Sequence, residues 1–348
     1  MSQKFIDISK NPDELIEALK QYSNKEVLLV CGNSFSKQEI AQSINDNLPK
    51  ITKFSDFSPN PTIEQVQAGL EVFKKVSADI IIGAGGGSAM DVAKCIKYFA
   101  KQEEIPLIAL PTTAGTGSES TSFAVMYENN EKQSLDAPYL LPDLVILDSR
   151  VLENLPEYQK KCTLLDAWCQ AIESYWSVSS TEESKKVALS AIQEIEESVD
   201  TYFTSNTKAN YDILHAANLA GQAINYTRTT APHAMSYKIT SLYGAPHGHA
   251  VALCLPIVWE YMRKNVERKN VDPRGSEYLT NIFSELATHI EKFKEIFNKI
   301  NMPAVAIKES DVPVLAASVN PQRLANNPVK LDEETLYSLY SLLVTSKK

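Results

Sequence analysis

Cysteine is scarce in this chain: Cys31, Cys95, Cys162, Cys169 and Cys254 make an odd count, and no two stand in a CxxC pair. That disfavours both a disulfide framework and a zinc knuckle. A basic surplus is also missing. With 34 Lys and Arg against 43 Asp and Glu, the net charge is −9. Bulk nucleic-acid binding needs a basic face to neutralise phosphates, so no nucleic-acid partner is expected. A small anionic substrate needs only a few local cations and stays possible. No apolar run approaches the ~20 residues that span a bilayer. The opening MSQKFIDISKNPDE lacks the apolar stretch of a secretory signal. No membrane partner is expected, and the cytoplasm is the expected location. Internal repeats and low-complexity segments are absent as well.

What is present falls into two halves. A chain of 348 residues exceeds one ordinary core. Up to about residue 150, short apolar runs alternate with amphipathic stretches. Val27–Val30, Asp79–Ile82, Leu107–Leu110 and Leu144–Leu147 read as buried strands. Helices are expected to open at Ser36 and Thr62, each followed three residues on by Glu39 or Gln65, a capping-box spacing. Strand–helix alternation favours a parallel sheet. Beyond residue 155 helical periodicity dominates, over 161–178, 182–204, 208–225, 250–268 and 276–299, with a cap at Ser180…Glu183. The expected division is an α/β domain over 1–153 and a helical domain over 154–348.

The stretch Ile82-Gly-Ala-Gly-Gly-Gly-Ser-Ala-Met-Asp91 runs from a buried strand through successive glycines into a Ser-x-x-Asp cap and a helix, Val92–Ala100. Backbone N–H groups and a positive helix end would converge there, which suits a pyrophosphate. The spacing is neither GxGxxG nor a Walker loop. A second loop, Pro111-Thr-Thr-Ala-Gly-Thr-Gly-Ser-Glu119, follows the next strand and offers hydroxyls and glycines at a strand end. At the end of the first strand Gly32 stands where dinucleotide domains often place an acid for the ribose 2′-hydroxyl. With Ser34, Ser36 and Lys37 nearby, a 2′-phosphate is expected to be tolerated, and with it NADPH.

The helical half carries a candidate metal set. Asp166 and Gln170 are four apart, hence on one helix face. His233 follows Pro232, and His247 sits in Ala-Pro-His-Gly-His249. Carboxylate oxygen and imidazole nitrogen suit Fe(II) or Zn(II), and a vacant position would admit a substrate oxygen. His215 and His289 read as ordinary helix residues.

Together the glycine loop, the TTAGTGSE loop and the Asp166…His233…His247 spacing resemble the iron-containing (group III) alcohol dehydrogenases over nearly the whole chain. The resemblance implies a Rossmann-like dinucleotide domain and a helical domain in the dehydroquinate synthase-like fold. It also implies a metal and a nicotinamide meeting in the cleft between the two domains, and a homodimer. By it, Gly85, Gly86, Gly87, Ser88 and Asp91 would hold the pyrophosphate, Thr112, Thr113, Thr116 and Ser118 would line the cofactor cleft, and Lys132 would reach the ribose. Asp166, His233 and His247 map onto three metal ligands. Two positions depart from the family pattern. The usual fourth ligand, a histidine four residues after the aspartate, is Gln170; it either coordinates weakly, or bonds a metal-bound water, or marks loss of the metal. A further family histidine, four residues after His233, is Tyr237.

The segments around Asp166, Thr229–Lys238 and Asp272-Pro-Arg-Gly are most similar to the phosphonoacetaldehyde-reducing branch. Arg228, Lys238 and Arg274 offer cations for a phosphonate, which arginine grips bidentately. The expected reaction is hydride transfer from NAD(P)H to a small anionic aldehyde, with Tyr237 or His249 relaying the proton. Sulfoacetaldehyde, a semialdehyde or a simple aldehyde are alternative substrates. A cyclising lyase on the same architecture and a silent nucleotide-binding regulator are the alternatives of other classes.

Overall fold

The computed structural model describes residues 3–129, 131–204 and 206–345. Eight strands run in chain order: β1 Lys4–Asp7, β2 Val27–Cys31, β3 Ile51–Phe54, β4 Ile80–Gly85, β5 Leu107–Pro111, β6 Phe123–Glu128, β7 Glu131–Asp136 and β8 Leu144–Leu147. Four helices are threaded among them: α1 Asp13–Lys20, α2 Glu39–Asn47, α3 Ile63–Val76 and α4 Gly87–Ala100. Then follow α5 Glu157–Trp176, α6 Glu182–Tyr202, α7 Thr207–Thr227, α8 Ala231–Tyr243, α9 His247–Lys269, α10 Ser276–Lys299, α11 Val312–Ala317, α12 Pro321–Leu324 and α13 Glu333–Ser341. Among the described residues, no helix is long and apolar enough to cross a membrane.

Six strands form one parallel sheet in the order β1-β8-β5-β4-β2-β3. Side chains alternate across a strand, so each strand feeds two cores. Val27, Leu29, Cys31, Ile80, Ile82 and Ala84 pack with Leu15, Leu19, Ile40 and Ile44 of α1 and α2. Leu28, Val30 and Ile81 pack the other way, with Leu70, Phe73, Val92 and Ile96 of α3 and α4. Burial on both faces explains why the central strands read as unbroken apolar runs. From β2 the chain goes outward to β3, then returns to place β4 on the other side of β2. The order reverses between β2 and β4, and ligands of open α/β sheets bind beyond the strand ends at such a point. Two edge strands, β1 and β3, and the antiparallel β6–β7 hairpin were not expected from the sequence.

The capping box predicted at Thr62 is present: Gln65 N–H donates to Thr62 Oγ1, and the Gln65 carboxamide accepts from Thr62 N–H. The one predicted at Ser36 is not; a short 3₁₀ turn occupies 35–37 and α2 opens after Gln38 without a side-chain cap. Ser180 is likewise displaced as a cap. Thr181 and Ser184 exchange the bonds, each side chain accepting from the other's backbone N–H.

By contacts the chain divides into residues 1–155 with 201–221, and residues 156–200 with 222–348. The division expected from the sequence places 201–221 in the helical domain. Their attachment to the α/β unit has a local cause. Asn218 of α7 donates to Ser120 Oγ at 2.6 Å and to Glu119 Oε1 at 3.3 Å. Gly117 and Gly221 meet backbone to backbone, so that a Cβ on either would collide with the other's main chain.

In the second unit α5 is buried on all sides from Cys162 to Trp176. A helix buried all round must satisfy its polar groups internally. Six such groups lie on α5, among them Asp166, Gln170 and Glu173.

Candidate metal and nucleotide sites

Thr112 N–H donates to Gly85 O at 2.9 Å, tying the loop after β5 to the glycine loop after β4. A Cβ on Gly86 would sit 3.3 Å from Thr113 Oγ1, and one on Gly87 would sit 2.9 Å from Thr116 Cγ2. The two loops are therefore stacked so closely that only glycines fit between them. Gly86, Gly87, Ser88, Thr112, Thr113 and Thr116 are half-buried at the strand ends, where the N-terminus of α4 emerges. This is the arrangement a pyrophosphate requires: bare backbone N–H groups at a helix N-terminus. Asp91 and Ser118 stand behind that row. Ser118 Oγ donates to Asp91 at 3.2 Å, and Ser118 is buried. They shape the loop from beneath. Burial pushes the Asp91 carboxyl up to about 6, against Lys94, Ser118 and Lys132.

Lys94 is the group the sequence reading passed over. Fully buried on α4, its ammonium donates to Ser118 O, Thr121 O at 2.7 Å and Phe123 O at 3.0 Å, knotting the second loop to the first helix. Burial lowers its pKa to about 8 despite Asp91 and Glu119. Gly32 lies at the end of β2, across the switch point from β4; a Cβ there would meet only Ser34 Oγ, at 3.9 Å. Packing does not demand glycine at that position, and the space beside it is open.

The metal set converges. On α5, Asp166, Gln170 and Glu173 recur at i, i+4 and i+7 and so share one face. His233 is in the first turn of α8 and His247 opens α9. A Cβ on Gly248 would strike the carbonyl oxygen of Cys162 and lie 2.8 Å from Asp166 Cβ. Glycine there lets α9 close on α5 and brings His247 to the carboxylate. His233 Nε2 lies 3.3 Å and His247 Nε2 3.8 Å from Asp166 Oδ1. One ligand atom from each of the three residues falls within 4.8 Å of the others. Ligands about 2.0–2.2 Å from a shared ion stand roughly 3–3.5 Å apart.

The tautomers follow from neighbours. Glu173 is wholly buried; its Oε2 accepts from Thr230 N–H at 2.7 Å and Thr230 Oγ1 at 2.9 Å, and its Oε1 meets His233 Nδ1. A carboxylate accepts only, so His233 carries a proton on Nδ1 toward Glu173, and Nε2, turned toward Asp166, is the atom that would ligate a metal in exchange for its own proton. Ser236 Oγ spends its one hydrogen on His233 O, at 2.8 Å. Against His247 Nδ1, 3.3 Å away, it must accept, so His247 carries a proton on Nδ1 and turns Nε2 toward Asp166. His233 Nε2 is buried and makes no hydrogen bond. Burial opposes charge on His233, yet Glu173 and Asp166 on either side outweigh it and push its pKa up to about 10. Two imidazole nitrogens and a carboxylate converge on one point in a field that favours a cation. A divalent metal fits this donor set.

The other predicted residues fare differently. Tyr237 belongs to the cluster: its ring stacks on His247, centroids 5.5 Å apart and planes within 4°. His249 does not. Two positions along α9 turn it about 200° from His247, and its Nδ1 is paired with Tyr158 Oη at 3.1 Å.

Arg274 is a correction. Its guanidinium bonds Asp272 through Nε and Nη2, Ser180 O and Oγ and Tyr278 Oη through Nη1, and Ser177 O through Nη2. With every donor committed it pins a turn and has none to offer a phosphonate. Arg228, in the left-handed conformation just after α7, bonds the last-turn carbonyls of Ile224 and Asn225. Lys238 is about 140° around α8 from His233. The three cations do not converge. One further group belongs with this cluster: Glu173, whose signal in the sequence is the i+7 continuation of Asp166 and Gln170.

A glycine-lined crevice at the switch point of a parallel sheet and a carboxylate–bis-imidazole metal set are the equipment of a metal-assisted dehydrogenase. Comparison with known proteins agrees. The sequence pattern of the family "Iron-containing alcohol dehydrogenase" matches residues 8–149, and that of "Fe-containing alcohol dehydrogenase family, C-terminal" matches 161–344. The chain belongs to the iron-containing alcohol dehydrogenase family and is an oxidoreductase, which removes the lyase and regulator alternatives. It is 30% identical to the 1-propanol dehydrogenase PduQ of Citrobacter freundii, over 75% of this chain and 72% of that protein. With the phosphonoacetaldehyde reductase of Streptomyces viridochromogenes it shares 27% identity over 89% and 88%. Among solved structures, a 1,3-propanediol oxidoreductase superposes with a TM-score of 0.86 at 25% identity, covering 98% of this chain and 97% of that one. Family membership implies a divalent metal and a nicotinamide dinucleotide.

Proposed function

We propose that this enzyme reduces a small anionic aldehyde with NAD(P)H at a divalent Fe or Zn ion, and that the substrate is phosphonoacetaldehyde, giving 2-hydroxyethylphosphonate. The balance is RCHO + NAD(P)H + H⁺ → RCH₂OH + NAD(P)⁺. The observation that carries the reading is the focus of Asp166, His233 and His247 on one point, with both imidazoles turning Nε2 toward the carboxylate. The phosphonate assignment is supported by the similarity to the Streptomyces reductase.

Asp166, His233 and His247 would hold the metal, with Gln170 one turn along α5 beside them. When bound, the metal supplies a Lewis acid that polarises a carbonyl. Glu173 and Ser236 hold the two imidazoles in the ligating tautomer and orientation. Gly86, Gly87 and the Thr112–Thr116 loop would bind the pyrophosphate, and Lys94 fixes that loop from beneath. The open space beside Gly32 would accommodate a 2′-phosphate, so NADPH is accepted. The Tyr237 hydroxyl, beside His247, would carry the proton that the alkoxide takes up.

The test is a panel of phosphonoacetaldehyde, sulfoacetaldehyde and propanal with metal-loaded protein and each reduced cofactor. The expected outcome is turnover of all three, with the highest kcat/KM for phosphonoacetaldehyde. Equal efficiency on propanal would reject the anionic-substrate assignment.

A further inference from the structure

We propose that Arg323, held against Tyr237, is the residue that recognises the anionic tail of the substrate; the inference deepens the anionic-aldehyde reading above and rests on it. Both Arg323 and the metal ligand His247 contact the ring of Tyr237. His247 stacks on it as described. The Arg323 guanidinium lies 5.0 Å from the ring centroid, and its Nη1 donates to Tyr237 Oη at 3.5 Å.

Arg323 is delivered there by a fixed turn. Asn320 Oδ1 accepts from Gln322 N–H and caps α12. Just after α12, Asn326 donates to Thr227 O and Thr229 O, Asn327 Oδ1 accepts from Ala231 N–H, and Val178 N–H donates to Asn326 O. These bolts join the Arg323 turn to the segment that leads into His233. A guanidinium on such a support is oriented before a ligand arrives, and less ordering entropy is lost on binding.

Charge gives the reason for a cation in that place. The carboxylates acting on His233 are Asp166 and Glu173. Together they match the charge of one divalent ion. Arg323 then adds a positive charge against Tyr237, which suits an aldehyde that brings its own anion. Tyr237 makes this geometry possible. It keeps a flat ring against His247 and adds a hydroxyl for Arg323 and a face for cation–π contact. A histidine, the residue the family pattern has there, offers a smaller face and no hydroxyl. The departure from the family pattern at Tyr237 is thus assigned a role in specificity. Of the cations expected to bind the tail, Arg274 is committed to its own turn and Lys238 lies about 140° around α8 from His233.

The experiment compares wild type with Arg323→Gln, Arg323→Lys and Lys238→Gln. It measures the ratio of kcat/KM for phosphonoacetaldehyde to that for propanal, and the competitive inhibition of propanal reduction by inorganic phosphate. Losing one charge-assisted contact should lower that ratio about tenfold or more in Arg323→Gln and raise the phosphate inhibition constant by a similar factor. Arg323→Lys should recover part of both, which a purely structural loss would not. An unchanged ratio and unchanged phosphate inhibition in Arg323→Gln would overturn the proposal, as would a larger effect from Lys238→Gln. Should wild type show no preference for the anionic aldehyde, the substrate reading fails. If phosphate inhibition is still relieved by Arg323→Gln, the anion site stands without it.

Discussion

The crevice of the α/β unit and the metal cluster of the helical unit are built on opposite plans. At the strand ends the functional surface is backbone, exposed because side chains are missing at Gly86 and Gly87 and because Thr113 and Thr116 fill the space that a Cβ would need. In the helical unit the candidate metal site is side chain, and each imidazole is aimed by a buried partner: Glu173 for His233, Ser236 for His247. The first plan fails when atoms are added, the second when they are removed. Gly248 is the exception that joins them, a missing side chain on which the side-chain cluster depends.

Gly248→Ala is therefore expected to give the largest effect. The new methyl would meet backbone, so α9 must move away from α5 at a cost of about 1–3 kcal/mol. His247 would leave Asp166, and metal content and turnover should both collapse, as metal analysis and a thermal melt would report. Full metal occupancy in that variant would break the comparison. Next comes Glu173→Gln, which removes the charge that orients His233. Metal affinity, measured by equilibrium dialysis against a chelator, should fall about 10–100-fold. Gly87→Ala tests the other plan: a methyl 2.9 Å from Thr116 should raise the cofactor KM about tenfold, or 1.4 kcal/mol, while metal content stays as in wild type.

The smallest effect calibrates the rest. Asp332 caps α13, accepting from Thr335 Oγ1 and from Thr335 N–H at 3.0 Å. The Thr335 hydroxyl and backbone N–H, with Lys269, hold its carboxyl down at about 2. A depressed carboxyl stabilises the fold above its ordinary value near 4 and loses that contribution as pH falls through 2. Asp332→Ala should cost about 1 kcal/mol at neutral pH, with the gap in denaturant midpoint closing in acid. A gap constant with pH would contradict the cap.

The same contrast explains what the sequence disclosed. Strands buried on both faces and runs of glycine are local patterns, and the central sheet and the phosphate-type loop were legible from them. The cluster of Asp166, His233 and His247 was legible through spacing and resemblance together. Edge strands β1 and β3 were not, being short and half-exposed without a clean alternation. Helix α8 was missed because its first six residues are all buried, which erases the amphipathic period, and because Pro232 resembles a break. Arg274 and Arg228 looked available only because sequence does not show where a guanidinium's donors are already spent. Arg323 lies ninety residues from His233 in the chain, and nothing local announces that a turn bolted by Asn326 and Asn327 returns it to Tyr237.

The most direct measurement is the divalent-metal stoichiometry of the purified protein and of His233→Ala, after exposure to Fe(II) or Zn(II) and removal of loose ions. One tightly held ion per chain in wild type, lost in the variant, is the predicted result. A wild-type chain that retains no ion, or a variant that holds it as firmly, would contradict the assignment of Asp166, His233 and His247 as a metal centre.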